Sequence, residues 1–153
     1  MACLKNTLCE VNVDIGLFCE TFLTENKGVQ IEGYTFFGRA RTTGKGGGVG
    51  ICVKNDKKTV ISPHFTERPL ELLWVSVIQF NKTPLYIGVY YGLQESVNVA
   101  KMQVEMDHLA DEISEIRKEG ELILCMDANA MIGLMGEEPS RNGFDQHSFN
   151  GIV

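Results

Sequence analysis

Leu122-Ile123-Leu124-Cys125-Met126-Asp127-Ala128-Asn129 is a continuous apolar run that closes on a carboxylate. Far upstream, Asp14-Ile15-Gly16-Leu17-Phe18-Cys19-Glu20-Thr21 has the same form and closes on Glu20. In a chain that also carries helical periods, such runs read as strands buried on both faces of an α/β sheet. A carboxylate at the end of a buried strand is costly to desolvate unless something pairs with it, and a divalent cation is a common partner. Layered α/β domains carry their chemistry at strand ends and on the loops that follow. Two acids so placed suggest one shared site.

Between these runs, Tyr34–Gly38, Val49–Val53, Leu72–Phe80 and Leu85–Tyr91 have strand character. Leu4, Leu8 and Val11 fall at helical spacing ahead of the Glu20 run, which predicts a short helix. Asn81-Lys82-Thr83-Pro84 predicts a hairpin, with Pro84 favouring a loop longer than a two-residue turn. Ser96 suits the N-cap of a second helix, whose stripe is Met102, Met106, Leu109, Ile113 and Ile116. Arg117 and Lys118 complement its dipole, and Gly120 marks its end. The order is helix, strand, several hairpin-like strands, helix, strand. That predicts a mixed sheet with helices outside, an α/β (α+β) fold. A length of 153 residues suits one domain over 1–153, without repeats or a second boundary.

Composition narrows the class. The five cysteines include no C-x-x-C pair, and Cys19, Cys52 and Cys125 lie within apolar runs. This pattern predicts buried, reduced thiols in an intracellular protein. Nothing at the start has the form of a secretory signal, and no apolar segment is long enough to span a membrane. A net charge of −6 argues against simple coating of nucleic acid. The charge is uneven: Arg39, Arg41, Lys45, Lys54, Lys57 and Lys58 face only Asp56 in their stretch, whereas acids dominate Glu105–Glu121. Solvated faces and a phosphate-facing loop both account for this. Gly44-Lys45-Gly46-Gly47-Gly48 lacks P-loop spacing and opens a strand, so its glycines are expected to permit a tight turn. His64, expected in a loop, His108 and His147 have no ligand spacing and read as surface residues.

Five segments in order carry a resemblance: DIGLFCET from Asp14, GYTFFGRAR with GGGVGICVKN from Gly33, LELLWVSV from Leu70, PLYIGVYYG from Pro84, and LILCMDANA from Leu122. Together they resemble the endonuclease/exonuclease/phosphatase superfamily, and more narrowly the apurinic-type endonuclease domain of non-LTR retrotransposons. The resemblance implies a four-layer α/β sandwich, here partial, and a Mg²⁺-dependent phosphodiesterase, with Mn²⁺ as an alternative ion. By resemblance Glu20 matches the metal-binding glutamate. Asp127 and Asn129 match the D-x-N motif, in which the Asp orients or deprotonates water and the Asn donates to phosphate. Tyr91 matches the phosphate-contacting Tyr of a Y-x-P motif, with Leu93 in place of the Pro. Tyr90 faces the other side of the strand and cannot serve with it. Arg39, Arg41 and Lys45 would meet backbone phosphates of DNA.

The family pattern also has an earlier Asn and a C-terminal S-D-H motif, which do not occur at matching places here. The expectation is therefore an incomplete site, with weak or no activity and open sheet edges prone to self-association. Three functions compete: a DNA-nicking endonuclease of retroelement descent, a non-catalytic remnant or interaction module, and a phosphatase branch acting on lipid or nucleotide phosphates. Nuclear location follows from resemblance only, since Lys57-Lys58 is too short for an import signal.

Overall fold

Side-chain alternation along each strand decides which layer it joins. In the computed structural model, residues 6–8, 10–24, 29–41, 46–55, 60–78, 82–93 and 99–129 are described. β1 (Ile15–Cys19), β2 (Tyr34–Arg39) and β3 (Val49–Lys54) form an antiparallel sheet in the order β1-β3-β2. β4 (Val60–Phe65), β5 (Leu72–Ile78), β6 (Leu85–Tyr91) and β7 (Glu121–Asp127) form a second sheet in that order. Its β4–β5 and β5–β6 pairs are antiparallel, whereas β6 and β7 run parallel. A parallel pair needs a long crossover, which α1 (Val99–Glu119) supplies.

The apolar runs are continuous because the inner strands are buried on both sides. Val49, Ile51 and Val53 of β3 meet Leu73 and Val75 of β5 and Val89 and Tyr91 of β6 between the sheets. The alternate residues Leu72, Trp74, Tyr86 and Tyr90 face α1, where they pack with Leu109 and Ile116. On the outer face of the first sheet, Leu8 packs with Ile31, Tyr34 and Cys52. The Tyr34 hydroxyl fixes that cover by donating to the carbonyls of Leu8 (3.2 Å) and Val13 (2.7 Å). The layers are thus an N-terminal segment, a sheet, a second sheet and a helix, a mixed α+β fold as the pattern predicts. No helix among the described residues is long and apolar enough to cross a membrane.

The structure corrects several expectations. Ser62-Pro63-His64 lies in β4 rather than in a loop; Pro63 is tolerated because β4 is an edge strand. His64 is half-buried, its ring edge-on to Tyr86 at 5.2 Å. The face of α1 turned to the sheet carries Glu105, Leu109, Glu112 and Ile116, while Met106 is exposed. Glu112 can lie there because the Thr66 hydroxyl donates to it at 2.9 Å and Arg68 pairs with it. Arg68 also reaches Glu115 at 2.8 Å, tying α1 to the β4–β5 connection. Cys125 is exposed, not buried, and Ile123 on the same face is 51 % exposed. Both sit on edge strand β7, at the end of its sheet. The expected residues Leu4, Asn81, Ser96, Lys57, Lys58 and His147 lie outside the described residues.

Two measurements follow from this packing. Leu73→Ala removes a fully buried side chain between the sheets and is expected to cost about 2–5 kcal/mol in urea unfolding, whereas Ile123→Ala should cost less than about 1 kcal/mol. For Glu105, burial foremost raises the carboxyl above its ordinary pKa and the Glu71 charge adds to this, against the nearby Tyr90 hydroxyl, the Leu93 backbone and Arg41. The folded state then holds the proton more tightly than the unfolded one, so this group lowers stability as pH rises from the ordinary carboxylate pKa to the raised one. Glu105→Gln removes that slope. Its urea midpoint should equal or exceed the native one near neutral pH, with the advantage gone by about pH 4.

Candidate active site

β1 ends as the chain turns under the glycines that precede β3. The Thr21 N–H donates to the Gly48 carbonyl (3.2 Å) and the Phe22 N–H to that of Gly47 (2.9 Å). Gly46, Gly47 and Gly48 have φ of 79°, 69° and 84°, a run of left-handed backbone that only glycine adopts freely. Their role is the tight turn expected from the sequence. On the other side of this contact, Glu20 and Phe22 are themselves left-handed, with φ of 52° and 53°. For non-glycine residues that conformation costs about 1–2 kcal/mol each. It leaves the Glu20 carboxylate exposed at the end of the sheet.

Tyr91 reaches Glu20 from the other sheet. Its ring lies in the inter-sheet core, and its hydroxyl donates to Glu20 Oε1 at 2.5 Å. Tyr90 points the opposite way, into the α1 layer, as alternation requires. Asp127 is the register neighbour of Tyr91 across the parallel β6–β7 pair and is exposed. The end of that pair is laced together: Gly92 N–H donates to the Asp127 carbonyl (2.8 Å), and Asn129 Nδ2 donates to the Gly92 carbonyl (2.8 Å). The Asn129 N–H donates to Asp127 Oδ1 at 3.1 Å, which orients the carboxylate, and Asn129 is left-handed with φ of 48°. Glu20, Tyr91, Asp127 and Asn129 therefore share one end of the sandwich.

Glu71, which the sequence reading passed over, organises this end. Its carbonyl accepts from the Tyr91 N–H at 3.0 Å. Its carboxylate accepts from the Gly48 N–H at 2.6 Å and pairs with Arg41. The Arg41 guanidinium in turn lies over the Tyr91 ring, 5.6 Å from its centroid. One acid thus touches the glycine turn, the Tyr91 backbone and the cation stacked on Tyr91. The only sequence signal was its place just before a buried strand, as in the runs that end on acids.

The basic residues separate. Arg39 donates to the carbonyls of Thr66 (2.9 Å), Leu72 (3.2 Å) and Arg68 (3.3 Å), and burial lowers its pKa. It is a clamp between β2 and the β4–β5 connection, with its donors on protein carbonyls. Arg41 lies within the cluster just described, and Lys45 falls outside the described residues. Acids dominate the electrostatics. Burial foremost pushes the Cys19 thiol up, opposed by the Asp127 backbone, while the charges of Asp127, Glu71 and Glu20 push it further.

Glu20 and Asp127 are exposed oxygen donors, and neither forms an ion pair among the described residues. No cluster of three or more His, Cys, Asp or Glu there could cage a metal. That donor set fits a hard ion such as Mg²⁺, which takes one or two carboxylates and keeps several waters, and does not fit a zinc-type cage. A separate cleft of about 550 Å³ is lined by Phe65, Thr66, Glu67, Arg68, Glu112 and Glu115. It contains none of the site residues, and its Arg68 is held by two glutamates.

The two packed sheets with their outer helix form a mixed α+β fold. The crystal structure of ANGEL2, a 2′,3′-cyclic phosphatase, is similar to this chain with a TM-score of 0.59 and 18% sequence identity. The match covers 85% of this chain and 43% of that one, so this chain spans less than half of that protein's length. At this identity the likeness is one of fold. No family profile matches the sequence, and no curated protein does.

The hub predicts a graded response. Glu71→Ala leaves the Arg41 guanidinium and the Gly48 N–H without their acceptor and should cost about 1–3 kcal/mol in urea unfolding. Tyr91→Phe keeps the ring under Arg41 and loses only the bond to Glu20, so it should cost about 1 kcal/mol or less. The reverse order of severity would mean that Glu71 does not hold the site together.

Proposed function

We propose that this chain carries the active-site core of a Mg²⁺-dependent phosphodiesterase that nicks DNA, of retroelement descent. The observation that carries the reading is the Tyr91–Glu20 hydrogen bond of 2.5 Å beside the Tyr91–Asp127 register pair. It draws a glutamate from one sheet and an aspartate from the other toward one tyrosine, although they are far apart in sequence. Glu20 and Asp127 would hold Mg²⁺, or Mn²⁺ in its place. When bound, the ion neutralises charge that develops on phosphate oxygens.

The protein groups divide the remaining work. Asp127, oriented by the Asn129 N–H, accepts a hydrogen bond from the attacking water or takes its proton. Asn129 has one Nδ2 hydrogen on the Gly92 carbonyl and a second to offer a phosphate oxygen. Tyr91 acts here on Glu20, fixing its carboxylate, in place of the direct phosphate contact expected from the motif. Arg41, which lies over the Tyr91 ring, is with Lys45 the proposed contact to DNA phosphates.

A second reading rests on the likeness to ANGEL2, a 2′,3′-cyclic phosphatase: the same carboxylates would act on a terminal nucleotide phosphate. A non-catalytic remnant that self-associates through its sheet edges is the third.

Supercoiled plasmid and an RNA oligonucleotide ending in a 2′,3′-cyclic phosphate, each incubated with and without Mg²⁺, separate the three. The expected outcome is metal-dependent plasmid nicking that falls about 10²–10⁴-fold in Glu20→Gln and Asp127→Asn. Opening of the cyclic phosphate alone would favour the phosphatase reading. Neither activity, from protein folded by circular dichroism, would leave the remnant.

A further inference from the structure

Phe22 stands in the open next to the acids. It is 64 % exposed, two residues beyond Glu20 in the chain. A lone exposed aromatic is ordinary on a protein surface. This one is held there: its φ of 53° is a backbone conformation that bulky side chains rarely adopt, and its N–H is fixed to the Gly47 carbonyl at 2.9 Å. Its ring lies against Gly46, where an added Cβ would come within 3.2 Å.

Phe22 is also continuous with the site. Gly47, the next residue after the glycine under its ring, sits against the Arg41 guanidinium. Arg41 covers the Tyr91 ring, and the Tyr91 hydroxyl bonds Glu20. An exposed aromatic face is thus linked through the glycine turn to Arg41, Tyr91 and the carboxylate of Glu20. Flat π-faces next to a phosphate-handling centre are what a nucleobase stacks on, whatever its identity. The acyl chains and polyol headgroups of lipid phosphates offer no such partner.

We propose that Phe22 is a stacking shelf for a nucleobase flanking the phosphate bound at Glu20 and Asp127, so that the substrate is a nucleic acid with an unpaired or unstacked base. This rests on the phosphodiesterase reading for the phosphate, but the shelf itself is testable without turnover. Fluorescence anisotropy with Ca²⁺ in place of Mg²⁺, which keeps a divalent ion for the phosphate, would compare a labelled oligothymidylate with an abasic oligonucleotide of equal length and charge, for the native chain, Phe22→Ala and Phe22→Trp. The expected result is that Phe22→Ala weakens oligothymidylate binding about 5- to 100-fold. Binding of the abasic strand should not change, and Phe22→Trp should restore binding of the base-bearing strand. Equal affinity of the native chain for both strands, loss on both strands alike, or binding to neither would overturn the shelf. A drop in thermal stability of Phe22→Ala with binding unaltered would overturn it in favour of a packing contact. Base-dependent binding without plasmid nicking would keep the shelf and remove the catalytic reading. Nicking without base dependence would do the reverse.

Discussion

The Tyr91–Glu20 hydrogen bond spans the gap between two sheets, and the site exists only if that gap has the right width and register. Both are set by ordinary apolar packing. Val49, Ile51 and Val53 from one sheet meet Leu73, Val75 and Val89 from the other, and the Tyr91 ring continues the same layer. A one-residue slip of β6 would turn Tyr90 inward and Tyr91 toward α1, since strand side chains alternate. Glu71 reinforces the register from a third direction by holding the Tyr91 N–H, the Gly48 N–H and Arg41 at once. Hydrophobic burial sets the spacing of the sheets, and a few polar contacts at their end convert that spacing into a cluster of acids.

The parts of this arrangement that were legible in the sequence are those set by periodicity. Runs such as Val49–Val53 and Leu85–Tyr91 announce strands buried on both faces, and the alternation that separates Tyr90 from Tyr91 follows from strand geometry alone. Acids at strand ends pointed to Glu20 and Asp127 because isolated charge there is anomalous. What escaped depended on contacts between distant segments. β4 carries a proline and a histidine, and only its place at the sheet edge makes Pro63 tolerable. The methionine stripe of α1 misled because Glu112 finds Arg68 and Thr66 on a distant connection, which lets a charged residue occupy the buried face. Arg39, expected by resemblance to meet DNA phosphate, is held by the carbonyls of Thr66, Arg68 and Leu72, 27 to 33 residues away, contacts that no local pattern announces.

Backbone strain is concentrated at the candidate site. Among the described residues, four that are not glycine have positive φ, and three of them are Glu20, Phe22 and Asn129. Strained conformations persist only where the surroundings over-determine them, and they cluster at functional sites. Here the surroundings are identifiable: the carbonyls of Gly47 and Gly48 hold the Glu20–Phe22 segment, and Gly92 with Asp127 holds Asn129. The sequence shows the glycines that permit the turn on one side of this contact. It does not show that their partners across the turn are forced into the same left-handed region, because Glu and Phe carry no propensity for it.

Charge balance gives the last constraint. Glu20, Glu71 and Asp127 all bear on Cys19, and Arg41 is paired with Glu71. That pairing leaves the charges of Glu20 and Asp127 without a protein cation among the described ion pairs. Two exposed carboxylates at one end of a sandwich present negative charge to an incoming phosphodiester. A purely structural network would leave the left-handed backbone of Glu20 as a cost to the fold with no return. Under the proposed function a divalent cation would offset the two acids and let the same surface attract phosphate. Under the proposed function, exposed acids and an anionic substrate would share this end of the sandwich through the ion between them.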